Sequence, residues 1–155
     1  MAESVFARLC QVLDDAEVRY EVTRHEAVYT SEEAAAVRGA QLASGAKALV
    51  CKANGEFLMF VVPADRRLDS KRLRKQHGMR GLRFANREEV FELTGLQPGA
   101  IPPFGCLFAL PTWCDVGLAD NPSINFNAGD HCLSVQLAFE DYRRLEKPQM
   151  AEFTE

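Results

Sequence analysis

The sequence lacks the features that mark membrane, secreted and zinc-binding proteins. Its longest unbroken apolar run is FLMFVVPA at 57–64, far shorter than the ~20 residues of a membrane-spanning helix. Its N-terminus, MAESVFARLCQVLDDAE, carries acidic residues and no basic stretch, so no secretory signal is predicted. No CxxC pair occurs among its cysteines, and paired spacing is the usual mark of a zinc site. We therefore expect a cytoplasmic protein that binds neither membrane nor metal and carries no cofactor.

The cysteines do not predict covalent catalysis. Cys132 has His131 beside it, but neighbouring residues of a strand point to opposite faces, so this pair would not normally meet. No serine or cysteine triad is visible in the sequence. We expect reduced, mostly buried thiols at all five positions: Cys10, Cys51, Cys106, Cys114 and Cys132.

Basic residues are concentrated in one segment of an otherwise acidic chain. The net charge is −4, which argues against a strongly basic nucleic-acid-binding surface. Nine of the 18 basic residues nevertheless fall in RRLDSKRLRKQHGMRGLRFANR at 66–87, where Asp69 is the single acid. A patch of one sign would attract a phosphate backbone, and a solvated helix face is the alternative explanation. No partner helix for a helix-turn-helix is visible, so sequence-specific DNA binding finds little support.

Periodicity and capping signals predict an α+β chain. Helices are predicted within 4–18, 30–39, 69–78, 86–95 and 140–147. Strands are predicted at 18–25, at 47–62 as a hairpin about Asn54-Gly55, at 106–111, and on both sides of Gly129-Asp130. The last few residues are expected to fray. Without repeats or hinge linkers, we predict one domain over residues 1–155 with a mixed, largely antiparallel sheet flanked by short helices.

The stretch QPGAIPPFG at 97–105 is rich in residues that constrain or free the backbone. It holds three of the seven prolines and two of the ten glycines. Because it lies between a predicted helix and a predicted strand, we do not interpret it as a linker. Prolines restrict φ and remove N–H donors, while glycine permits a close backbone approach. Either the stretch is a rigid connection, or it holds backbone dipoles toward a reacting carbonyl.

Four segments, in order along the chain, resemble the YbaK/prolyl-tRNA-synthetase-associated domain family. They are TSEEAA (30–35), GAKALV (45–50), TGLQPGAIPPFG (94–105) and INFNAGDHCLSVQL (124–137), and the resemblance spans residues 5–146. Members of this family are free-standing or inserted editing domains that hydrolyse mischarged aminoacyl-tRNA. The resemblance implies a curved, mixed sheet flanked by helices, which agrees with the elements predicted above.

The resemblance points to three candidate catalytic residues. Lys47 matches the family's hallmark lysine, which contacts the terminal nucleotide or the aminoacyl group; by itself it would be an ordinary strand-edge lysine. Gly99 opens the family's motif of a glycine, three residues and a proline. His131 follows the NAGD turn, as a histidine does in many members, and would orient the ester or amino group of the substrate. The candidate substrate-binding residues are His25, Thr30, Ile101, Pro102, Pro103, Phe104, Gly105, Asn127 and Gly129.

The implied reaction is hydrolysis of the ester between a small, wrong amino acid and a tRNA, with tRNA-Pro as the first candidate. In the family, water attacks the ester with help from the terminal ribose hydroxyl, and no metal takes part. The protein would supply positioning and oxyanion stabilisation. Some alanine-specific members place a polar residue where this chain has Ala48, so the amino acid is not copied from one subgroup.

The expected partner is the acceptor end of aminoacyl-tRNA, and an aminoacyl-tRNA synthetase is a second candidate. A non-catalytic module that binds a tRNA end or a small ligand is the alternative function. The candidate contacts to tRNA are Arg66, Arg67, Lys71, Arg72, Arg74 and Lys75.

Overall fold

Short helices and strands alternate along the chain, as seen in a computed structural model that describes residues 4–155. The helices are α1 (Val5–Asp15), α2 (Ser31–Arg38), α3 (Ser70–Gln76), α4 (Arg87–Thr94) and α5 (Phe139–Glu146). The strands are β1 (Tyr20–Arg24), β2 (Ala46–Ala53), β3 (Glu56–Pro63), β4 (Arg83–Phe84), β5 (Thr112–Asp115), β6 (Ser123–Asn127), β7 (Leu133–Ala138) and β8 (Gln149–Ala151). Within the described residues, no helix has the length and apolar character needed to cross a membrane.

The first four helices begin where the sequence offers a capping side chain. The side chains of Ser4, Thr30, Asp69 and Asn86 each accept a hydrogen bond from a backbone N–H in the first turn of the following helix. Such a bond satisfies a donor that has no partner inside the helix. Glu89 completes a capping box with Asn86. The predicted starts of these helices are confirmed.

Two sheets meet just before β2. One is antiparallel, with the order β1-β7-β6, and the other has the order β4-β2-β3-β5-β8. In the second sheet β2 is antiparallel to β3 and β4, whereas β5 is parallel to β3 and β8. A bridge between Gly45 and Asn125 joins the two sheets. The predicted α+β class with mixed, largely antiparallel pairing is confirmed, and the strands are divided between two sheets.

The β2–β3 hairpin separates two hydrophobic cores. It turns at Asn54 and Gly55, both with positive φ, as the sequence predicts. On one face, residues such as Met59 pack with α1, α5, β6 and β7. On the other face, Phe60 packs with residues of α3 and with Phe153 near the C-terminus. Because neighbouring strand residues point to opposite faces, one strand serves both cores.

The stretch 106–111 is not a strand, so this prediction is wrong. The chain turns through a short 3₁₀ segment at Gly105–Leu107, and β5 begins only at Thr112. The turn closes because the Leu110 N–H donates to the Gly105 carbonyl at 3.0 Å. The apolar run therefore turns on itself with Leu107 and Leu110 buried, and it meets β3 at its end, where the Pro111 carbonyl accepts from the Met59 N–H at 2.8 Å.

The C-terminal residues do not fray, which also corrects a prediction. β8 pairs with β5, and Phe153 is fully buried. The Phe153 N–H donates to the buried carboxylate of Asp115 at 2.9 Å. Burial of an aromatic side chain and this hydrogen bond order the end of the chain.

The cysteines are free, but the prediction that most are buried is wrong. Cys51 and Cys114 are buried, Cys10 and Cys132 are half-buried, and Cys106 is exposed. Burial raises the pKa of the Cys51 and Cys114 thiols to about 12. These two thiols therefore stay protonated at neutral pH and act as small apolar side chains.

Candidate functional site

A cavity of about 330 Å³ lies between α2, the start of β2, the loop 98–101 and the turn after β6. Its titratable lining residues, apart from Tyr29, are Arg38, Lys47, Arg87 and His131, and no Asp or Glu of the described residues lines it. A cavity with basic and without acidic side chains suits a ligand that carries negative charge.

The cavity brings together half of the residues predicted to act in catalysis or substrate binding. They come from segments that are far apart in the chain, and each lies in one of the four segments that carry the sequence resemblance. The lining residues among those predicted are Thr30, Lys47, Gly99, Ile101, Asn127 and His131.

Lys47 lies near the start of β2, where it pairs with Val62 of β3. Its neighbours Ala46 and Ala48 are buried, whereas Lys47 is half-buried. Within residues 4–155, no Asp or Glu oxygen lies within 4.0 Å of its ammonium. The charge of Lys47 is therefore not neutralised by a neighbouring carboxylate.

The loop at Gly99 is tied to the turn between β6 and β7. The Gly99 carbonyl accepts a hydrogen bond from Asn127 Nδ2 at 2.7 Å, and the Ala100 carbonyl accepts one from the Gly129 N–H at 2.7 Å. Gly99 has a φ of +89°, which favours glycine. The His131 ring stacks obliquely on the ring of Tyr29, with centroids 4.8 Å apart. Loop and imidazole thus form one wall of the cavity.

The second half of the loop supports this wall and does not line the cavity. Phe104 is fully buried and packs against Phe126 and Tyr142. Gly105 has no room for a side chain, because a β-carbon there would collide with Thr112 Oγ1. The predicted residues in this buried part are Pro102, Pro103, Phe104 and Gly105. Their roles as substrate contacts stay predictions.

His25 and Gly129 also lie outside the cavity lining, and each is bonded to residues that line it or support it. Gly129 holds the loop through the bond to Ala100 described above. His25 donates from Nδ1 to the Glu26 carbonyl at 2.7 Å, and its Nε2 is hydrogen-bonded to Ser134 Oγ at 2.8 Å. Substrate contact by these two residues remains a prediction.

Arg38, the last residue of α2, is a cavity residue that the sequence reasoning missed. Its Nε donates to Ser134 Oγ at 2.8 Å, and its Nη2 donates to Asn127 Oδ1 at 3.0 Å. Burial lowers the pKa of its guanidinium to about 10. The only local signal was a basic residue in the last turn of a helix, which usually interacts with the helix dipole. Tyr29, Arg87 and Asn125 are further lining residues that were not assigned to the site.

The basic segment 66–87 begins close to a residue that lines the cavity. Ala64 lines the cavity, and Arg66 comes two residues later. Strand alternation places Lys47 on the same face of β2 as Cys51, which packs with α3. Of the predicted tRNA contacts, Arg72 is half-buried and ion-paired with Asp69 and Glu152. The others are exposed: Arg66, Arg67, Lys71, Arg74 and Lys75.

Comparisons with known proteins cover nearly the whole chain. Residues 25–145 match the aminoacyl-tRNA editing domain. The chain is 36% identical over 151 residues to the multifunctional Ser/Thr-tRNA deacylase ProXp-y of Escherichia coli (strain K12), covering 94% of this chain and 90% of that protein. It is 26% identical over 141 residues to the prolyl-tRNA editing protein ProX of Acetoanaerobium sticklandii, covering 87% and 86%.

A solved structure called "a putative trans-editing enzyme for prolyl tRNA synthetase" has the same fold. The TM-score is 0.86 at 27% identity, over 100% of this chain and 99% of that one. The family match includes every residue that lines the cavity. Sequence and fold comparisons therefore agree, and the chain belongs to the family of aminoacyl-tRNA editing domains.

Proposed function

We propose that residues 1–155 form one editing domain that deacylates mischarged aminoacyl-tRNA in the cytoplasm. It would hydrolyse the ester between a small amino acid and the 3′ end of the tRNA. The observation that carries the proposal is the convergence of Thr30, Lys47, Gly99 and His131 on one cavity without acidic lining. Family membership supports the same reaction, and relatives named as deacylase and editing protein support it further.

The loop backbone is the candidate for stabilising the oxyanion. In the described part of the chain, the N–H groups of Gly99 and Ile101 make no hydrogen bond to protein, whereas the Ala100 N–H donates to the Gln97 carbonyl. Free donors held in a rigid loop can stabilise charge that develops on the ester carbonyl. We assign this role to Gly99 and Ile101.

Lys47 and His131 would position the substrate. An ammonium without a carboxylate partner can bind phosphate as a point charge, which is the role we propose for Lys47. His131 would orient the ester or the amino group. Water is the nucleophile, with help from the ribose hydroxyl of the substrate, as the family resemblance implies. Because the ester is held beside its donors, the protein acts mainly through orientation and electrostatics.

The size of the cavity supports a small amino acid. A cavity of about 330 Å³ has to hold part of the terminal nucleotide as well as the aminoacyl group. Size exclusion is useful here because one methylene gives a synthetase only ~10- to 200-fold discrimination. We propose serine, threonine and alanine as candidate amino acids and tRNA-Pro as the first tRNA to test. We also propose that the basic residues after Ala64 contact the acceptor stem. An aminoacyl-tRNA synthetase is a further proposed partner.

A deacylation panel tests the proposal. The protein is incubated with tRNA-Pro charged with alanine, serine, cysteine, threonine or proline, then with other tRNAs, and the release of labelled amino acid is followed. We expect release of at least one small amino acid and none of proline from tRNA-Pro. Binding of these tRNAs without any release would contradict the proposal and favour a non-catalytic module.

A further inference from the structure

Arg38 brings a second unneutralised cation to the cavity. Its guanidinium is half-buried, and its two hydrogen-bond acceptors, Ser134 Oγ and Asn127 Oδ1, are both neutral. No Asp or Glu oxygen of residues 4–155 lies within 4.0 Å of it. Partial burial of a charge without a counter-charge is unfavourable. An anionic ligand that supplies the missing counter-charge would therefore bind favourably to this cation.

The guanidinium is also held in a defined orientation. The Ser134 hydroxyl, which accepts from Arg38 Nε, is hydrogen-bonded to His25 Nε2 at 2.8 Å. On the other side, Asn127 accepts from Arg38 Nη2 and donates to the Gly99 carbonyl. The neutral side chains of Ser134 and Asn127 therefore orient the guanidinium without neutralising its charge. Such preorganisation lowers the entropic cost of binding.

The free edge of the guanidinium lies on the Lys47 side of the cavity. Within the described chain, Arg38 Nη1 makes no hydrogen bond. A β-carbon added at Gly45 would lie 3.8 Å from Nη1. Gly45 precedes Lys47 by two residues on extended backbone, so the two positions share a face. Arg38 Nη1 and the Lys47 side chain therefore border the same part of the cavity.

We propose that Arg38 and Lys47 together form an anion subsite for the phosphodiester of the substrate's terminal nucleotide. Arg38 binds a phosphate oxygen through its free Nη1 edge, and Lys47 binds as a point charge. The planar guanidinium adds directional hydrogen bonds that an ammonium lacks. The proposal rests on the proposed function and deepens it, because it names the group of the substrate that this cation recognises.

Two substrates separate phosphate recognition from a merely structural role. Full aminoacyl-tRNA carries the phosphate, whereas 3′-aminoacyl-adenosine does not. We expect Arg38→Gln to lower kcat/KM about 10- to 100-fold for the tRNA, the range for losing a hydrogen bond to a charged group, and to leave kcat/KM for aminoacyl-adenosine nearly unchanged. Equal losses on both substrates would mean that Arg38 only positions Asn127 and the loop, which would overturn the proposal. Arg143→Gln, an exposed arginine of α5, should affect neither substrate.

A binding measurement on the unmodified protein gives a second test that does not depend on folding of a variant. Calorimetry with 5′-AMP and with adenosine compares one probe with the phosphate and one without it. We expect AMP to bind at least about tenfold more tightly, and we expect Arg38→Lys to reduce this preference in part. Equal binding of the two probes would overturn the subsite. If no tRNA is deacylated while AMP is still preferred, the proposed reaction fails and the subsite stands.

Discussion

The α-carbon of Gly99 faces the imidazole of His131 so closely that a β-carbon at residue 99 would lie 3.2 Å from Nε2. The φ of +89° independently favours glycine at this position. The close contact and the backbone conformation therefore both favour glycine at this position. The glycine that opens the loop is thus adapted to the histidine on the opposite turn, although 31 residues separate their positions in the chain.

Gly99→Ala should reduce deacylation by tenfold or more, roughly the effect of misplacing a positioned group. The added β-carbon would push against His131 and shift the loop carbonyl that Asn127 holds. The positive φ should also cost about 1 kcal/mol of stability. Kinetics on the best substrate of the deacylation panel and thermal unfolding measure the two effects.

The matched control is Gly95→Ala. Gly95 has a φ of +75° and no atom within 4 Å of an added β-carbon. It should show a similar loss of stability and keep its activity. If both alanine variants deacylate at the wild-type rate, the contact between Gly99 and His131 has no catalytic importance.

Lys47→Met should lower kcat/KM about 10- to 100-fold, because a charge-assisted contact to the substrate is lost. Methionine keeps most of the apolar stem, so folding should be little affected. Lys52→Met is the control on the same strand: Lys52 Nζ lies 5.2 Å from the centre of the Phe57 ring and outside the cavity. Steady-state deacylation kinetics compare the two variants. Near-normal turnover by Lys47→Met would contradict the role assigned to Lys47.

The double variant Arg74→Ala/Lys75→Ala should raise KM for aminoacyl-tRNA about two- to tenfold and leave kcat unchanged. Both side chains are exposed, and contacts to the phosphate backbone add affinity that falls with salt. The dependence of KM on salt should therefore weaken in the variant. Arg143→Ala/Arg144→Ala removes the same charge from α5. An equal rise in KM for both variants would indicate a general charge effect, without a specific tRNA surface on α3.

The ion pair between Arg83 and Glu89 should make the free energy of unfolding decrease as the pH falls through the acid range. The two carboxylate oxygens of Glu89 lie 2.8 and 2.9 Å from the guanidinium nitrogens of Arg83. The side-chain hydrogen bond from Arg83, together with the backbone N–H of Asn86, lowers the pKa of Glu89 from 4.5 to about 2. Because the folded pKa lies below the unfolded one, ionised Glu89 stabilises the fold above pH 4.5, and this contribution disappears as the pH falls toward 2.

Arg83→Gln should therefore lower Tm slightly at neutral pH, since the pair is exposed and screened by solvent. The difference in Tm between wild type and variant should shrink as the pH falls from about 4.5 to 2. Circular dichroism melts across this range measure it. A difference that stays constant down to pH 2 would show that Arg83 does not stabilise the ionised form of Glu89.

Local chemistry in the sequence was sufficient for much of the fold. Thr30 and Asn86 start helices through their own side chains, and the Asn54-Gly55 pair turns a hairpin through its own backbone preferences. These features need only neighbours within a few residues. Interpretation of 106–111 as a strand was wrong because an apolar run does not show whether its backbone will bond to another strand or to itself.

Some features of the candidate site likewise follow from the sequence, and others follow only from the tertiary structure. The sequence by itself determined the family and the capped helices, and it predicted Lys47, Gly99 and His131 as site residues, because short motifs in order carry that information. The tertiary structure alone decided that Phe104 and Gly105 are buried support, and that Arg38 enters the cavity through hydrogen bonds to Ser134 and Asn127. These bonds join residues about ninety positions apart. No local pattern encodes such contacts, because they exist only after the two sheets have packed.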